Sequence, residues 1–488
     1  MATIKQLLSQ TAIYGLSSVI GRVLNFLLVP LYTYVFDKEE YGEVIILFSY
    51  TAILNVFLSY GMETSFFNFV NKKDSKNVFP TAFISLLVSS LVFLSIALFF
   101  NKDIANILSF ESHPEYIIYL IWVIFFDAIT VIPFSRLRFQ NKAFRFAIIK
   151  LINIGIYIGL NLLLLVVIPW LISKGYSFGS FDRYLSTPKI SVIFLSNLVA
   201  SAITVIMLIP TFRDAEWNFD KELWKKMIRY GWPILIAGTA GIINESMDKV
   251  FLWEMLPEDT AKGEVGIYGA NYKIAIFMTI FIQAFRMGVE PFFFAKAKDK
   301  DAKETYAYVM NYFVAILAVI FLFLIVNLDI LKYFIQNEEM WVGLDVVPIL
   351  LLANLSLGIY LSLSVWYKIN DKTRYGAIFS IIGAIITVLI NIWLIPKMGY
   401  YGSAWATLAA YGSMMLMSYF VGQKIYPIPY NLKKISLYLG LSVFLGLVAD
   451  KFFYGNLIIG NSFLLLFLIM LAFFETASLR SIFARNNK

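Results

Sequence analysis

The sequence is short of cysteine, histidine and charged residues, and each shortage excludes a class of protein. None of the 488 residues is a cysteine, so disulfides and thiolate metal sites are excluded. The single histidine, His113, argues against a multi-histidine zinc or iron site. Charged residues make up 15% and hydrophobic residues 60%, against about 25% and 45–50% in a soluble domain. A soluble enzyme and a disordered chain are therefore excluded, and a polytopic membrane protein remains.

Apolar runs long enough to cross about 30 Å of hydrocarbon as a helix occur fourteen times. They predict an all-α polytopic membrane protein with fourteen transmembrane helices and short connectors. The first run is longer than the apolar core of a signal peptide, so we expect it to remain in the mature protein. The predicted spans are residues 11–36, 42–70, 78–100, 116–139, 146–170, 190–211, 231–253, 265–293, 305–328, 342–367, 375–395, 401–423, 433–452 and 456–478.

Lysine and arginine alternate between the two sides of this predicted topology. With the N-terminus in the cytoplasm, the inside segments hold 26 of these residues and the outside segments hold 9. The positive-inside rule therefore predicts an even number of spans and two cytoplasmic termini, as in a multi-pass protein of the cytoplasmic (inner) membrane. The same placement explains the net charge of +8 without nucleic acid as a partner.

Short matches recur at a shift of about 225–230 residues, which corresponds to six spans. The segment Gly61–Glu63 at the end of span two matches Gly288–Glu290 at the end of span eight. Asn161 in span five likewise matches Asn391 in span eleven. Because six is an even number, the two halves have the same orientation and form parallel repeats.

The repeat predicts the domain organisation. We expect residues 1–215 to form a six-helix N-lobe and residues 216–428 to form a pseudo-symmetric six-helix C-lobe. Residues 429–488 then form an additional C-terminal helix pair. Two lobes with a cleft between them suit alternating access, in which a site opens to each side of the membrane in turn.

Two basic residues lie inside predicted spans without an acid nearby in the sequence. A charge at mid-membrane costs roughly 2.5–3.5 kcal/mol, so it must be paired or line a wet cavity. Arg22 lies near the middle of span one, and its planar guanidinium suits a phosphate or a carboxylate. A long-range ion pair is the alternative. Lys273 in span eight is a second candidate for contact with an anion.

A cluster in span seven contains two acids and one base. Lys249 follows Glu245 by four residues and adjoins Asp248. The spacing of Glu245 and Lys249 favours a helical ion pair, so the cluster can neutralise itself. Alternatively, the two acids, one turn apart, bind a coupling cation.

The remaining intramembrane charges have competing interpretations. Arg286 and Glu290 form another i,i+4 pair, and Glu63 is the repeat equivalent of Glu290; a gate or an interfacial location accounts for them. Asp127, near the middle of span four, is a candidate partner of Arg22 or a protonatable coupling site. Lys150 lies close enough to the inner surface to snorkel and is assigned no function.

Segments in both halves carry a family resemblance. They are Gly21–Gly42 (GRVLNFLLVPLYTYVFDKEEYG), Tyr230–Pro233 (YGWP), Asp248–Leu252 (DKVFL), Gly266–Tyr268 (GIY) and Asn391–Thr407. In this order, along fourteen spans, they resemble the polysaccharide-transporter (Wzx-like oligosaccharide flippase) family of the MOP superfamily, which includes the MATE transporters. The resemblance extends over nearly the whole chain.

The resemblance implies two six-helix lobes around a central cationic cavity. It implies a flippase that exports a polyprenyl-pyrophosphate-linked oligosaccharide to the outer leaflet for cell-surface polysaccharide biosynthesis. The cargo and membrane lipid are then the expected partners, with polysaccharide-assembly proteins as further candidates. The candidate pyrophosphate ligands are Arg22, Lys249, Lys273 and Arg286. The candidates for coupling or gating are Glu63, Asp127, Glu245, Asp248 and Glu290.

Two related transporters compete with this interpretation. A lipid II flippase has an extra helix pair similar to spans thirteen and fourteen, whereas an ion-coupled multidrug antiporter usually has twelve spans. Export of each negative charge gains about 2.3 kcal/mol per 100 mV, so membrane potential alone is a sufficient driving force and Na⁺ or H⁺ coupling is optional. We expect no cofactor and no metal. An enzyme is disfavoured because no catalytic constellation is present.

Overall fold

The computed structural model describes residues 20–21, 23–70, 75–179, 182, 187, 189–213 and 216–486, with side chains to residue 475 except at residue 75. Every regular element in these ranges is a helix. The chain forms two compact units, Met1–Glu254 with Glu258–Val265 and Met255–Pro257 with Gly266–Lys488. The division of the chain at residues 215 and 428 stays a prediction.

The first unit contains ten of the described helices. Its α6 packs on both α4 and α9, and α9 also packs on α7, so these four helices form the body of the unit. A π-helical turn, Leu163–Val167, joins α7 to α8. The helices are α1 Leu28–Val35, α2 Lys38–Ser59, α3 Met62–Val70, α4 Val78–Phe99, α5 Asn101–Ile107, α6 Pro114–Phe139, α7 Ala143–Leu162, α8 Ile168–Ser173, α9 Ile190–Leu208 and α10 Lys221–Met255.

The second unit begins within the first turns of α11. Its α17 packs along α14 and α16, and α12 packs along α18 and α19, which attaches the C-terminal pair to the unit. The helices are α11 Glu258–Lys296, α12 Ala302–Val326, α13 Leu328–Leu331, α14 Val347–Leu363, α15 Val365–Ile369, α16 Arg374–Met398, α17 Tyr400–Ile425, α18 Leu432–Phe452 and α19 Leu457–Asn486.

Eleven helical stretches in the described part of the chain are long and apolar enough to cross a membrane. They coincide with eleven of the predicted spans and confirm an all-α polytopic membrane protein. Of the other three, span one is described only from residue 20, and its apolar helix Val23–Val35 is short. Helix α10 carries the charged cluster of span seven, and α17 is rich in glycine, serine and tyrosine, which lowers its mean hydropathy. The count of fourteen stays a prediction.

The first unit interrupts its second span at Gly61, between α2 and α3. Tyr60 ends α2 in a left-handed conformation, and Gly61 has φ +71°. The backbone of Gly61 lies against that of Gly231 in α10, so that a Cβ on Gly61 would fall 2.6 Å from the Gly231 carbonyl oxygen. The hydroxyl of Ser65 donates to the Met227 carbonyl at 3.0 Å beside this contact. Two glycines of the sequence motifs are thereby packed backbone to backbone, a role that only glycine can fill.

The repeat-equivalent asparagines share one contact and use their amide oxygens for different partners. Asn161 and Asn391 are fully buried, and each amide nitrogen donates to the carbonyl four residues earlier, at 2.7 and 2.8 Å. The Asn161 amide oxygen accepts from the Tyr32 hydroxyl at 3.1 Å, and that of Asn391 accepts from Ser403 at 3.0 Å. These bonds join neighbouring helices in surroundings where an unpaired polar group would be costly.

Candidate functional site

A cavity of about 620 Å³ lies within the first unit, and we call it the polar cavity. Its walls come from α2, α3, α6, α7 and α9. Amides, hydroxyls and charged groups make up most of its lining, in contrast to the apolar composition of these spans. The lining residues are Asn55, Val56, Ser59, Glu63, Asp127, Ala128, Thr130, Val131, Phe134, Arg138, Phe146, Lys150, Asn153, Asn197, Ser201 and Thr204.

Helical spacing brings the polar groups onto one face of each contributing helix. In α9, Asn197, Ser201 and Thr204 follow one another at intervals of four and three residues. In α2, Asn55 and Ser59 are four residues apart. Side chains three or four residues apart share a helix face, so each of these helices turns a polar stripe towards the cavity and apolar residues elsewhere.

Asp127 lies in the wall that α6 contributes, near the middle of that helix. Its carboxylate accepts a hydrogen bond from Ser201 of α9 at 3.0 Å, and the Lys150 ammonium interacts with its charge. The Lys150 nitrogen also lies over the Phe134 ring, 4.3 Å from the ring centre. The buried amide oxygen of Asn55 has no hydrogen-bond partner among the described residues. The polar cavity therefore offers both a charged acceptor, the Asp127 carboxylate, and an unused neutral acceptor, the Asn55 amide oxygen.

Glu63 lies elsewhere in the cavity wall and forms an ion pair with Arg138 of α6. The Arg138 guanidinium also lies over the Phe67 ring, 4.9 Å from its centre. Two acids and two bases line the polar cavity, so its formal charge is zero. It differs in this respect from the cationic cavity that the family resemblance implies.

Glu290 in the second unit is the centre of an equivalent ion-pair network. Its carboxylate accepts from the Arg286 guanidinium at 2.9 Å and from the Lys368 ammonium at 2.5 Å. Glu290 lies 227 residues after Glu63, and Lys368 lies 230 residues after Arg138, the shift that also relates Asn161 to Asn391. Each unit thus links the ends of its corresponding spans through a carboxylate and a base.

A small cavity of about 10 Å³ lies in the second unit, and its walls on α11 and α14 correspond in part to those of the polar cavity. The Phe285 and Phe313 rings, which line it, stack with centres 3.9 Å apart. Ile282 takes the sequence position that corresponds to Asn55, and Leu357 the position that corresponds to Asp127. The two units share helices and ion pairs but differ in the polarity of this one region.

In the charged cluster of span seven, Lys249 pairs with Asp248 rather than with the Glu245 carboxylate. The Lys249 ammonium lies 2.8 Å from a carboxylate oxygen of Asp248 and 3.2 Å from the Glu245 carbonyl. The side chains of Lys249 and Asp248 are 12% and 2% exposed. Within the described part of the chain, no group of three or more His, Asp or Glu side chains is arranged to hold a metal ion.

Of the other candidate ligands of the cargo, the structure describes Lys273 but not Arg22. Lys273 is partly buried in α11 of the second unit. Arg22, the principal candidate, lies outside the described residues, and so does its suggested pairing with Asp127. Of the predicted coupling and gating residues, Asp127 and Glu63 share one cavity.

Several cavity residues are absent from the sequence-based site. Lys150 is predicted to snorkel and Arg138 receives no role from the sequence, yet both line the polar cavity. Asn153 donates to Thr204 at 2.9 Å across the same wall. The signal that could have found this region is the run of polar residues at helical spacing within apolar spans, above all in α9.

Solved structures show which class of protein has this fold. The lipid II flippase MurJ, in an inward closed conformation, matches with a TM-score of 0.71 at 15% identity, over 94% of this chain and 98% of its own. An inward-facing multidrug resistance MATE family transporter of the MOP superfamily matches with a TM-score of 0.65 at 14% identity, over 88% and 95% of the two chains. The protein therefore has the fold of MOP-superfamily transporters.

Sequence comparison identifies the family within that class. Residues 7–295, more than half of the chain, match the family described as polysaccharide biosynthesis protein. The chain belongs to this polysaccharide biosynthesis protein family. A relative in Haemophilus influenzae, Lsg locus putative protein 1, is 20% identical over 414 residues, which cover 80% of this chain and 94% of the relative. Family and fold together support a membrane flippase of the MOP type.

Proposed function

We propose that the protein exports a polyprenyl-pyrophosphate-linked oligosaccharide from the inner to the outer leaflet of the cytoplasmic membrane. The observation that carries the proposal is the match to a polysaccharide biosynthesis family on a MOP-type fold. Both termini then lie in the cytoplasm, in line with the distribution of lysine and arginine. Transport proceeds by alternating access, and no chemical step on the cargo is required.

Arg22 is the principal ligand of the pyrophosphate in this proposal, with Lys273 as its helper. A guanidinium donates two parallel hydrogen bonds to a phosphate, which makes arginine well suited to the role. Arg286 and Lys249 take a lesser part, because each already has an acidic partner at about 2.8–2.9 Å. They would have to leave these partners before they could hold an anion.

The driving force in this proposal is the membrane potential. Outward movement of a diphosphate with about two negative charges gains roughly twice 2.3 kcal/mol at 100 mV, inside negative. Asp127 is the candidate for an additional coupled proton or cation, because it lies in the polar cavity. Glu63, Glu290, Glu245 and Asp248 stay candidates for coupling or gating.

A lipid II flippase is the second candidate function. The favouring observation is the match to MurJ over 94% of this chain. A multidrug antiporter is supported by the MATE-like fold, which covers 88% of the chain. The three candidate cargoes are a polyprenyl-linked oligosaccharide, lipid II and a cationic dye. One transport assay that compares these cargoes therefore distinguishes the three functions.

We expect Arg22→Ala to lower transport at least about ten-fold, because a charge-assisted hydrogen bond contributes about 1.5–3 kcal/mol. The protein is placed in liposomes with a fluorescent polyprenyl-pyrophosphate oligosaccharide, and a membrane-impermeant quencher reports the lipid in the outer leaflet. The rate is measured with and without an inside-negative potential. Arg22→Lys should retain part of the activity, since it keeps the charge and loses the planar fork.

Arg229→Ala is the matched control, because Arg229 is exposed at the start of α10. It should transport at the unaltered rate. Full activity of Arg22→Ala would exclude Arg22 as the pyrophosphate ligand. Movement of lipid II or of cationic dyes, with no movement of the polyprenyl-linked oligosaccharide, would replace the proposed cargo by one of the alternatives.

A further inference from the structure

We propose that the polar cavity of the first unit is a binding subsite for one or two sugar residues of the cargo. The ligand class is a neutral, polyhydroxylated ring, distinct from the pyrophosphate that the basic residues are proposed to hold. The inference rests on the proposed function and names the part of the cargo that this cavity receives.

The size of the polar cavity suits such a ligand. Its volume of about 620 Å³ lies within the range of about 300–1,000 Å³ that is typical of small-molecule sites. Side chains from five helices of a single unit line the space, and these rigid helices hold the side chains in place. A bare ion would leave most of this volume unfilled.

The charges of the polar cavity favour a neutral ligand over an ion. Glu63 is paired with Arg138, and Asp127 has Lys150 as its charged neighbour and Ser201 as its hydrogen-bond donor. The formal charge of the lining is therefore zero, and neither a cation nor a phosphate gains from the net field. Among the described residues, no three His, Asp or Glu side chains are grouped so that they could hold a metal ion.

The hydrogen-bonding groups suit hydroxyls that both donate and accept. Three amides line the cavity, those of Asn55, Asn153 and Asn197. The Asn55 amide oxygen is buried and unpartnered among the described residues, and a sugar hydroxyl can donate to it. Asp127 supplies a charged acceptor, and the Asn197 amide faces the cavity from α9.

The second unit shows that the fold does not require this lining. Ile282 lies 227 residues after Asn55, and Leu357 lies 230 residues after Asp127, so apolar side chains take these two positions in the second unit. A unit of this fold therefore does not need polar side chains there. Burying amides and charges costs free energy, so the polar groups at these positions of the first unit point to a ligand.

Binding of free sugars to the intact protein tests the proposal without lipid or pyrophosphate. The full chain is placed in lipid nanodiscs, and saturation-transfer NMR is recorded with a panel of free hexoses and N-acetylhexosamines. We expect at least one member to bind. Asn197→Leu keeps the volume of the side chain and removes its amide, and it should weaken that binding about ten-fold.

Asn218→Leu is the matched control, since Asn218 is exposed ahead of α10 and is not one of the residues that line the cavity. It should bind the sugar as the unaltered protein does. Val131→Trp is the second variant, and it fills the cavity from α6 without removing a polar group. It should abolish the signal, with folding checked by size-exclusion chromatography.

The outcomes separate this inference from the proposed function. Sugar binding that both cavity variants weaken, and the control does not, supports the subsite. Absence of binding by every sugar, or binding that neither cavity variant changes, overturns it. Transport of the polyprenyl-linked oligosaccharide in the same preparation would then leave the flippase proposal standing, and only its absence would count against the function itself.

Discussion

Gly61→Ala is expected to lower the free energy of unfolding by about 2–4 kcal/mol. Two costs add. Gly61 has φ +71°, a conformation that an L-alanine adopts only with strain. The new Cβ would also fall 2.6 Å from the carbonyl oxygen of Gly231 and 3.0 Å from the Ile234 Cβ. Backbone atoms cannot turn aside as a flexible side chain can, so α10 must move.

The loss is measured as a drop in thermal stability and in the folded yield of the protein in detergent. Gly288→Ala is the matched control, because Gly288 is the repeat equivalent of Gly61 but lies within the continuous helix α11. No atom lies within 4 Å of a Cβ built there. This control should gain about 0.5–1 kcal/mol, since alanine favours a helix over glycine. Equal effects of the two changes would contradict the close packing of Gly61 on α10.

Glu290→Gln is expected to destabilise the second unit by about 1–3 kcal/mol, a value reduced for partial exposure from that of a fully buried pair. The carboxylate accepts from both Arg286 and Lys368, and all three side chains are 26–43% exposed. With a neutral amide at position 290, two cations face each other without an anion between them. The loss should shrink at high salt, because salt screens exposed charges.

Two further variants isolate the cause of this effect. Glu63→Gln removes the corresponding carboxylate of the first unit but leaves one base at that ion pair, so its effect should be smaller. Glu290→Gln combined with Lys368→Met removes one of the two repelling charges and should recover part of the lost stability. Thermal unfolding of the unaltered protein, Glu290→Gln, Lys368→Met and the double variant gives the coupling free energy. Additive losses in the double variant would show that the repulsion is not the cause.

Contacts within one helix could be predicted from the sequence. Arg286 pairs with Glu290 one turn later, because helical geometry alone brings these residues together. Lys249 instead pairs with Asp248, and not with the Glu245 carboxylate that the i,i+4 spacing favours. The order of the spans followed in the same way from the length of the apolar runs. Both features depend on local spacing, and the structure confirms them where it describes the chain.

The polar cavity could not be predicted, because it depends on which faces of five helices meet. Asp127 finds its donor in Ser201, 74 residues later, and nothing in the spacing of the two residues indicates that contact. Lys150 illustrates the same difficulty. Its depth in the span is compatible with the membrane surface, but the rotation of α7 directs it to Phe134 and the cavity. Helix rotation and register are tertiary properties that a single sequence leaves open.

The buried asparagines are alike in the two halves of the chain, whereas the region around Asp127 differs between them. If the halves descend from one duplicated ancestor, Asn161 and Asn391 still perform the ancestral task of holding neighbouring helices together. The region around Asp127 instead differs, since Leu357 takes the corresponding position in the other half. Selection could therefore change this region without dismantling the scaffold. New cargo specificities should arise by substitutions in the cavity wall, while the asparagines stay fixed.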